Sequence, residues 1–415
     1  MTTNRVLGFC VAWCLAAGSL AAQTTQAEVL AEMKALRERL AKLEQQVAAP
    51  VAAPAAAPAA APAAPAEAPK LPEAPPPAPE WSAGPIEFSG LVDAYYNLNF
   101  NHPATQNNQV RNWDTNANQF SLAMAKITLE HKPGPIGFRA DFGFGPAFDI
   151  VHGAEPGGLN TFRYIEQAYL SASLGKGTLD IGKFVTQHGA EVIETHSNWN
   201  YSHSLLFAWA IPYYHFGVRY TYPLHKTFTG AVYLVNGWNN VRDNNTGKTF
   251  GIQGVWSPNP RFTWTNNYMV GPENTGTNTG YRHLYDTTAM VVVSPKLAFM
   301  GNFDYGVNKF TKGTPNARWT GFAGYAKLSP TSWFALIPRA EWYNDADGYT
   351  TGVAQKLKEF TMTAEFKMKE GFLTRLEYRR DQSDQSFFDR GNTLGSRKNL
   401  DTLLAGFIVY FGPKR

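Results

Sequence analysis

The chain has 415 residues, 27 of them proline, and would suit two or three soluble domains only if every stretch could fold. Its 37 Lys plus Arg against 33 Asp plus Glu leave a formal charge of +4, too small to mark a nucleic-acid binder or an acidic tail. The two cysteines, Cys10 and Cys14, stand near the N-terminus, so a disulfide framework and a cysteine-based zinc site are excluded for the rest of the chain.

The opening reads as an export signal. Arg5 supplies a positive start, Val6 to Ala17 form an apolar run too short to span a bilayer, and Ser19-Leu20-Ala21 offers small residues for cleavage, so residues 1–21 are expected to be a signal peptide. No acid occurs before Glu28. Trp13 directly before Cys14 argues against a lipid anchor there, and with the signal removed no thiol remains. Residues 28–47 follow with Val29, Met33, Leu36, Leu40, Leu43 and Val47 spaced alternately by four and three, the rhythm of a coiled coil whose core is Met33, Leu36, Leu40 and Leu43. Glu32 and Arg37, and likewise Arg39 and Glu44, flank that seam with opposite charges, which suits self-association; a lone amphipathic helix is the alternative. Residues 48–85 form an Ala/Pro-rich linker with eleven prolines between Pro50 and Pro79, a polyproline spacer.

From Ile86 the pattern changes to a period of two. Phe88, Val92, Ala94, Tyr96 and Leu98 alternate with Ser89, Asp93, Asn97 and Asn99, and the same alternation runs through Phe138 to Phe142, Phe262 to Thr265 and Phe360 to Lys367. No apolar run of 18 residues exists, so any membrane passage is by strands. Short Pro/Gly turns fall at 132–135, 175–177, 223–226, 257–260, 294–296, 329–332 and 369–371. Longer Asn/Gly/Asp/Thr-rich stretches fall at 101–118, 147–162, 187–212, 239–247, 271–280, 308–316, 344–355 and 382–397. Seven short and eight long connections join sixteen strands, with both ends on the short-turn side, which is what a bacterial outer-membrane barrel requires. The expected fold is therefore all-β: a 16-stranded antiparallel transmembrane β-barrel over residues 86–411, preceded by the coiled coil and linker. Leu403, Ala405, Phe407, Val409 and Phe411 form an apolar face ending in an aromatic near the C-terminus, like an outer-membrane assembly signal. Tyr213, Tyr214, Trp238, Trp256, Trp264 and Trp342 near strand ends read as aromatic girdles.

Several short runs carry a resemblance. Phe88-Ser89-Gly90-Leu91-Val92-Asp93-Ala94-Tyr95-Tyr96, Gly182-Lys183-Phe184 to Gly189-Ala190-Glu191, Asn200-Tyr201-Ser202 with Ser204, Pro212 to Gly217-Val218-Arg219, and Leu376 to Arg379 with Asp381 resemble the OmpL-like β-barrel porins, the second family of that kind. The resemblance covers about Ile86 to Phe411 and implies passive outer-membrane permeation.

Residues 187–212 are unusually apolar for a solvent loop, and a loop after the fifth strand that folds inward would narrow a lumen; a loop packed over the rim or against a neighbouring subunit is the alternative. Glu191, Glu194, His196, Tyr201 and His203 are the candidate constriction residues. By strand parity Arg139, Asp141, Arg219, Arg339, Glu341, Arg375, Glu377, Arg379 and Asp381 face the lumen, either screening solutes or pairing across strands. The expected function is a water-filled channel for small hydrophilic solutes, with no catalysis, cofactor or metal. An envelope tether is the alternative. An outer-membrane hydrolase is a weaker one, because Glu194, His196, Ser197, His203 and Ser204 cluster without a nucleophile elbow. Outer-membrane lipids, the barrel assembly machinery and sister subunits of a homotrimer are the expected partners, with periplasmic or cell-wall contact through the N-terminal helix; nucleic acid is not.

Overall fold

The computed structural model describes residues 82–83, 85–132, 134–153, 155, 160–369 and 371–412. The signal peptide, the coiled coil with its core Met33, Leu36, Leu40 and Leu43, and nearly all of the Ala/Pro-rich linker lie outside the described residues. At the linker's end Ser82–Ala83 already pairs with Ile86 and Glu87, so sheet begins slightly before the residue-85 boundary.

Sixteen strands follow: β1 Ile86–Asn99, β2 Gln119–His131, β3 Ile136–Phe144, β4 Ile165–Leu174, β5 Gly177–Val185, β6 Tyr214–His225, β7 Phe228–Val235 and β8 Thr249–Asn259. They continue as β9 Phe262–Pro272, β10 Tyr281–Ser294, β11 Leu297–Asn308, β12 Ala317–Leu328, β13 Phe334–Asp345, β14 Gln355–Lys369, β15 Phe372–Ser383 and β16 Asn399–Phe411. Each pairs antiparallel with its sequence neighbours, and β16 closes on β1 with Thr402 opposite Asn99 and Phe411 opposite Gly90. Closure leaves no edge strand, so every strand's backbone groups find partners within the wall. A Cβ on Gly90 would fall 2.4 Å from the Phe411 ring, so the closing aromatic needs a glycine opposite it.

The side chains are arranged inside out relative to a soluble protein. Leu403, Phe407, Val409 and Phe411 on β16, Phe360 and Met362 on β14, Leu170, Ile181, Leu234 and Ile252 are exposed on the outer wall. Asp93, Asn97, Thr361, Thr363, Arg375 and Glu377, which alternate with such residues, are buried inside. Alternation of this sense is what a lipid-facing barrel dictates. Trp256, Trp264 and Trp342 are exposed on the outer wall, as a girdle requires, but Tyr213 and Tyr214 are buried and Trp238 is half-buried against Trp319 and Arg282. These three stand beside loops that fold inward, so strand-end position alone does not make a girdle residue.

All fifteen connections occur in the expected order. Two turns come slightly later than their prolines suggest: β6 runs past Pro223 to His225 and β8 past Pro258 to Asn259. Pro223 lacks an N–H but pairs opposite Thr229 beside a bulge at the strand end, where the ladder is already interrupted. Three long connections carry local structure. The second holds a one-and-a-half-turn helix, α1 Pro146–Val151, and a 3-10 turn, Asn160–Tyr164. The last holds a small hairpin of Phe388–Arg390 with Thr393–Arg397. The third, between β5 and β6, enters the barrel.

Candidate functional site

Residues 186–213 leave β5 and run through the barrel interior before returning to β6. An irregular segment in that position has backbone N–H and C=O groups that no ladder satisfies, and each left unpaired would be costly. The wall supplies the partners. Arg375 donates to the carbonyls of Thr195 (2.7 Å), Asn200 (2.9 Å) and Asn198. Glu377, two residues on, accepts from the N–H groups of Tyr201 (2.7 Å) and Ser202 (3.0 Å), and Arg379, two further, donates to His203 O (2.6 Å). Period-two spacing on β15 therefore makes a ladder of alternating donors and acceptors.

On β13, Arg339 donates to Ser202 O (2.6 Å) and to Glu191 (3.0 Å), while Glu341 accepts from Leu205 N (2.8 Å) at the start of a single wide helical turn, Leu206–Ala210. Asn200 reaches Ile337 O and Thr363, and Tyr201 donates to Asp93 on β1 at 2.6 Å. Tyr201 lies flat where a Cβ on Gly406 would come within 2.3 Å of its ring, so the loop's approach to β16 depends on that glycine. Trp319 and Tyr343 donate to the carbonyls of Ala210 and Trp209, and Asn267 and Asn302 hold the loop's start at Gln187 and Ala190.

The candidate constriction residues thus have different surroundings. Glu191 faces the wall, where it accepts from Ser204 N (2.7 Å), Tyr325 (3.0 Å) and Arg339. Glu194 is the one acid of the pair at the loop's open margin, held by the ammonium of Lys126. His196 stacks on Tyr410 with centroids 4.9 Å apart. His203 packs at a tilt against Trp113 (4.2 Å) and Phe207 (4.6 Å) and donates to Val192 O, and burial, partly offset by Glu191, holds its imidazole below the usual histidine range.

The nine charges assigned to the lumen by parity all point inward. Arg339, Glu341, Arg375, Glu377 and Arg379 are covered by the loop; Asp381 pairs with Arg379 and with Arg111 of the first long connection. Arg139, with Asp141, and Arg219, with Asp180, lie on the opposite wall. Several interior residues have no counterpart among the candidates. Arg111 and Trp113 come from 101–118, which reads as a polar surface loop; a tryptophan and an arginine in an Asn-rich stretch are the signal for it. Glu166 faces inward only because a bulge opposite Asp141 and Phe142 inserts one residue and breaks the parity.

Lys126 lies among Asp141 (3.1 Å), Glu166 (2.6 Å) and Glu194. These three carboxylates come within 4.8 Å of one another, the spacing that could hold a metal ion, and among the described residues no other cluster does so. The ammonium stands between them and supplies the positive charge. Among the described residues His188, His196 and His203 belong to no such cluster.

Replacing Arg375 with Met removes three loop anchors at once and leaves Glu365 to Lys327 alone. The expected loss is about 3–5 kcal/mol, the scale for breaking a buried pair. Urea unfolding in detergent reads that loss, and limited proteolysis should cut within 186–213 in the variant before it cuts the native protein.

The chain matches the family described as "Putative beta-barrel porin-2, OmpL-like" over residues 85–411. Comparison with curated proteins gives no match. Among solved structures, the anion-selective porin from Comamonas acidovorans superposes with a TM-score of 0.54 at 9% identity, covering 79% of this chain and 99% of that one. OmpT of Vibrio cholerae gives 0.53 at 9% identity over 79% and 97% of the two chains. The outer-membrane channel DcaP of Acinetobacter baumannii gives 0.51 at 11% identity over 79% and 97%. At such identities these structures show a shared fold. The family match carries the rest: this chain belongs to the OmpL-like β-barrel porin family and is an outer-membrane channel.

Proposed function

We propose that the channel passes small hydrophilic solutes by diffusion between the inward loop 186–213 and the wall formed by β3 to β7, with the loop setting the aperture. The observation that supports this is the direction of the loop's anchors. Its hydrogen bonds are densest to β12–β15, with others to β1, β9 and β11, while Arg139 on β3 and Arg219 on β6 keep about a fifth of each side chain exposed. A loop pressed against one side of a polar cylinder narrows it without closing it. Deleting residues 192–207 should raise single-channel conductance in planar bilayers while the barrel still shows heat-modifiable migration; a folded variant of unchanged conductance would contradict the aperture role.

The chemistry of this reading needs no catalytic group. Glu194 is engaged by Lys126 and not by a histidine, and Ser204 receives the N–H of Phe207. We further infer that the N-terminal segment is periplasmic and brings barrels together through Met33, Leu36, Leu40 and Leu43. One similar structure, OmpT of Vibrio cholerae, is described in a trimer form. Lipid contact along the apolar outer wall and recognition of β16 by the assembly machinery belong to the same reading. Truncation of residues 28–84 should lower the oligomer mass seen by light scattering in detergent and leave conductance per barrel intact. Loss of conductance with unchanged mass would contradict this division of labour.

A further inference from the structure

Three ion pairs of the barrel interior share an asymmetry. The Arg139 side chain is 19% exposed and its partner Asp141 is fully buried; Arg219 is 21% exposed against 7% for Asp180; Lys327 is 20% exposed against 3% for Glu365. Lumen water therefore meets guanidinium and ammonium groups and reaches little of the carboxylates behind them. Three acids are about as exposed as these cations, and each has a cationic partner: Glu87 pairs with Lys132 at 3.2 Å, Glu130 lies 3.7 Å from Arg139, and Glu194, more exposed than the ammonium it meets, holds Lys126.

Two of the cations form a built surface. Arg139 sits opposite Tyr169 in the β3–β4 register and Arg219 opposite Asp180 in the β5–β6 register. The Arg219 guanidinium lies 5.3 Å from the Tyr169 centroid and 4.7 Å from that of Phe184, so two aromatic faces fix its plane. Asp180 takes its Nε at 2.7 Å. Among the described residues no side chain or carbonyl accepts from its two terminal amino groups, which leaves open the fork that suits a carboxylate or a phosphate oxygen pair. Toward the short-turn end, periplasmic in bacterial barrels, Lys327 lies 6.0 Å from the Trp199 centroid and lines a recess of about 200 Å³ together with Lys367.

We propose that this channel prefers small anions, carboxylates and phosphate among them, and that Arg139 and Arg219 determine the preference. The proposal rests on the channel reading above. Exposed fixed cations draw anions into a water-filled pore and repel cations, whereas acids buried behind them act only through their partial neutralisation of those cations.

Reversal potentials of the purified full chain in planar bilayers under a KCl gradient test this. The wild type should reverse on the chloride side of zero, and Arg139→Gln and Arg219→Gln should each move the potential toward zero, the double variant furthest. The buried acids keep other partners in these variants: Lys126 and Gln167 for Asp141, Ser171 for Asp180. Lys327→Gln offers a third arm, since Glu365 keeps Arg375. A wild-type channel that conducts with potassium preference, or with none, overturns the proposal. Chloride preference unmoved by every variant overturns the assignment to these residues. A folded protein that never conducts overturns the channel reading itself and this proposal with it.

Discussion

The interior of this barrel depends on one exchange: charged side chains of the wall satisfy the backbone of a loop that has no ladder of its own. A chain segment placed inside a cylinder cannot continue the sheet, and its peptide groups lose water wherever it packs tightly. Arg375, Glu377, Arg379, Arg339 and Glu341 meet that need directly, guanidinium groups to carbonyls and carboxylates to N–H groups. The charges are thereby paired twice, with one another and with peptide dipoles, which offsets the desolvation that an isolated buried ion would suffer.

This exchange follows from the membrane. A lipid-facing wall turns every second residue outward as an apolar one and leaves the intervening residues to face a common interior. Where that interior is open, polar side chains meet water; where the loop covers it, they meet the loop. One alternation in the sequence thus generates the lipid surface, the loop's anchors and the charged wall of the passage, and the glycine at 406 admits Tyr201 where β16 would otherwise hold the loop away.

Much of this architecture is legible in the sequence, for definite reasons. Period-two alternation and Pro/Gly turns depend on residues adjacent in the chain, so the strand count, the order of connections and the inward side of Arg339, Arg375 and Glu377 can be read directly. The role of those charges cannot. Whether Arg375 faces water or a carbonyl depends on where residues 195–200 lie, and that contact spans more than 170 positions. Glu191 shows the same limit: it stands in the right loop but turns to Arg339 and Tyr325, while Glu194 lies at the margin. Glu166 escapes the pattern because a bulge resets parity, and Trp113 because a polar loop hides one buried anchor. The three tyrosine and tryptophan residues 213, 214 and 238 mislead for a related reason, since loops that fold inward place aromatics at the rim without exposing them to lipid.

On the proposed function, the passage runs along the wall of β3 to β7 and not along the wall the loop covers. Among the described residues there is no cysteine, so single cysteines can report which wall carries current. Thr221 is half-buried on β6 at an inward position, and Thr361 on β14 is buried beneath the loop. A thiosulfonate reagent added to bilayers should reduce conductance through Thr221→Cys and leave Thr361→Cys unchanged. Block through Thr361→Cys with Thr221→Cys unaffected would contradict it.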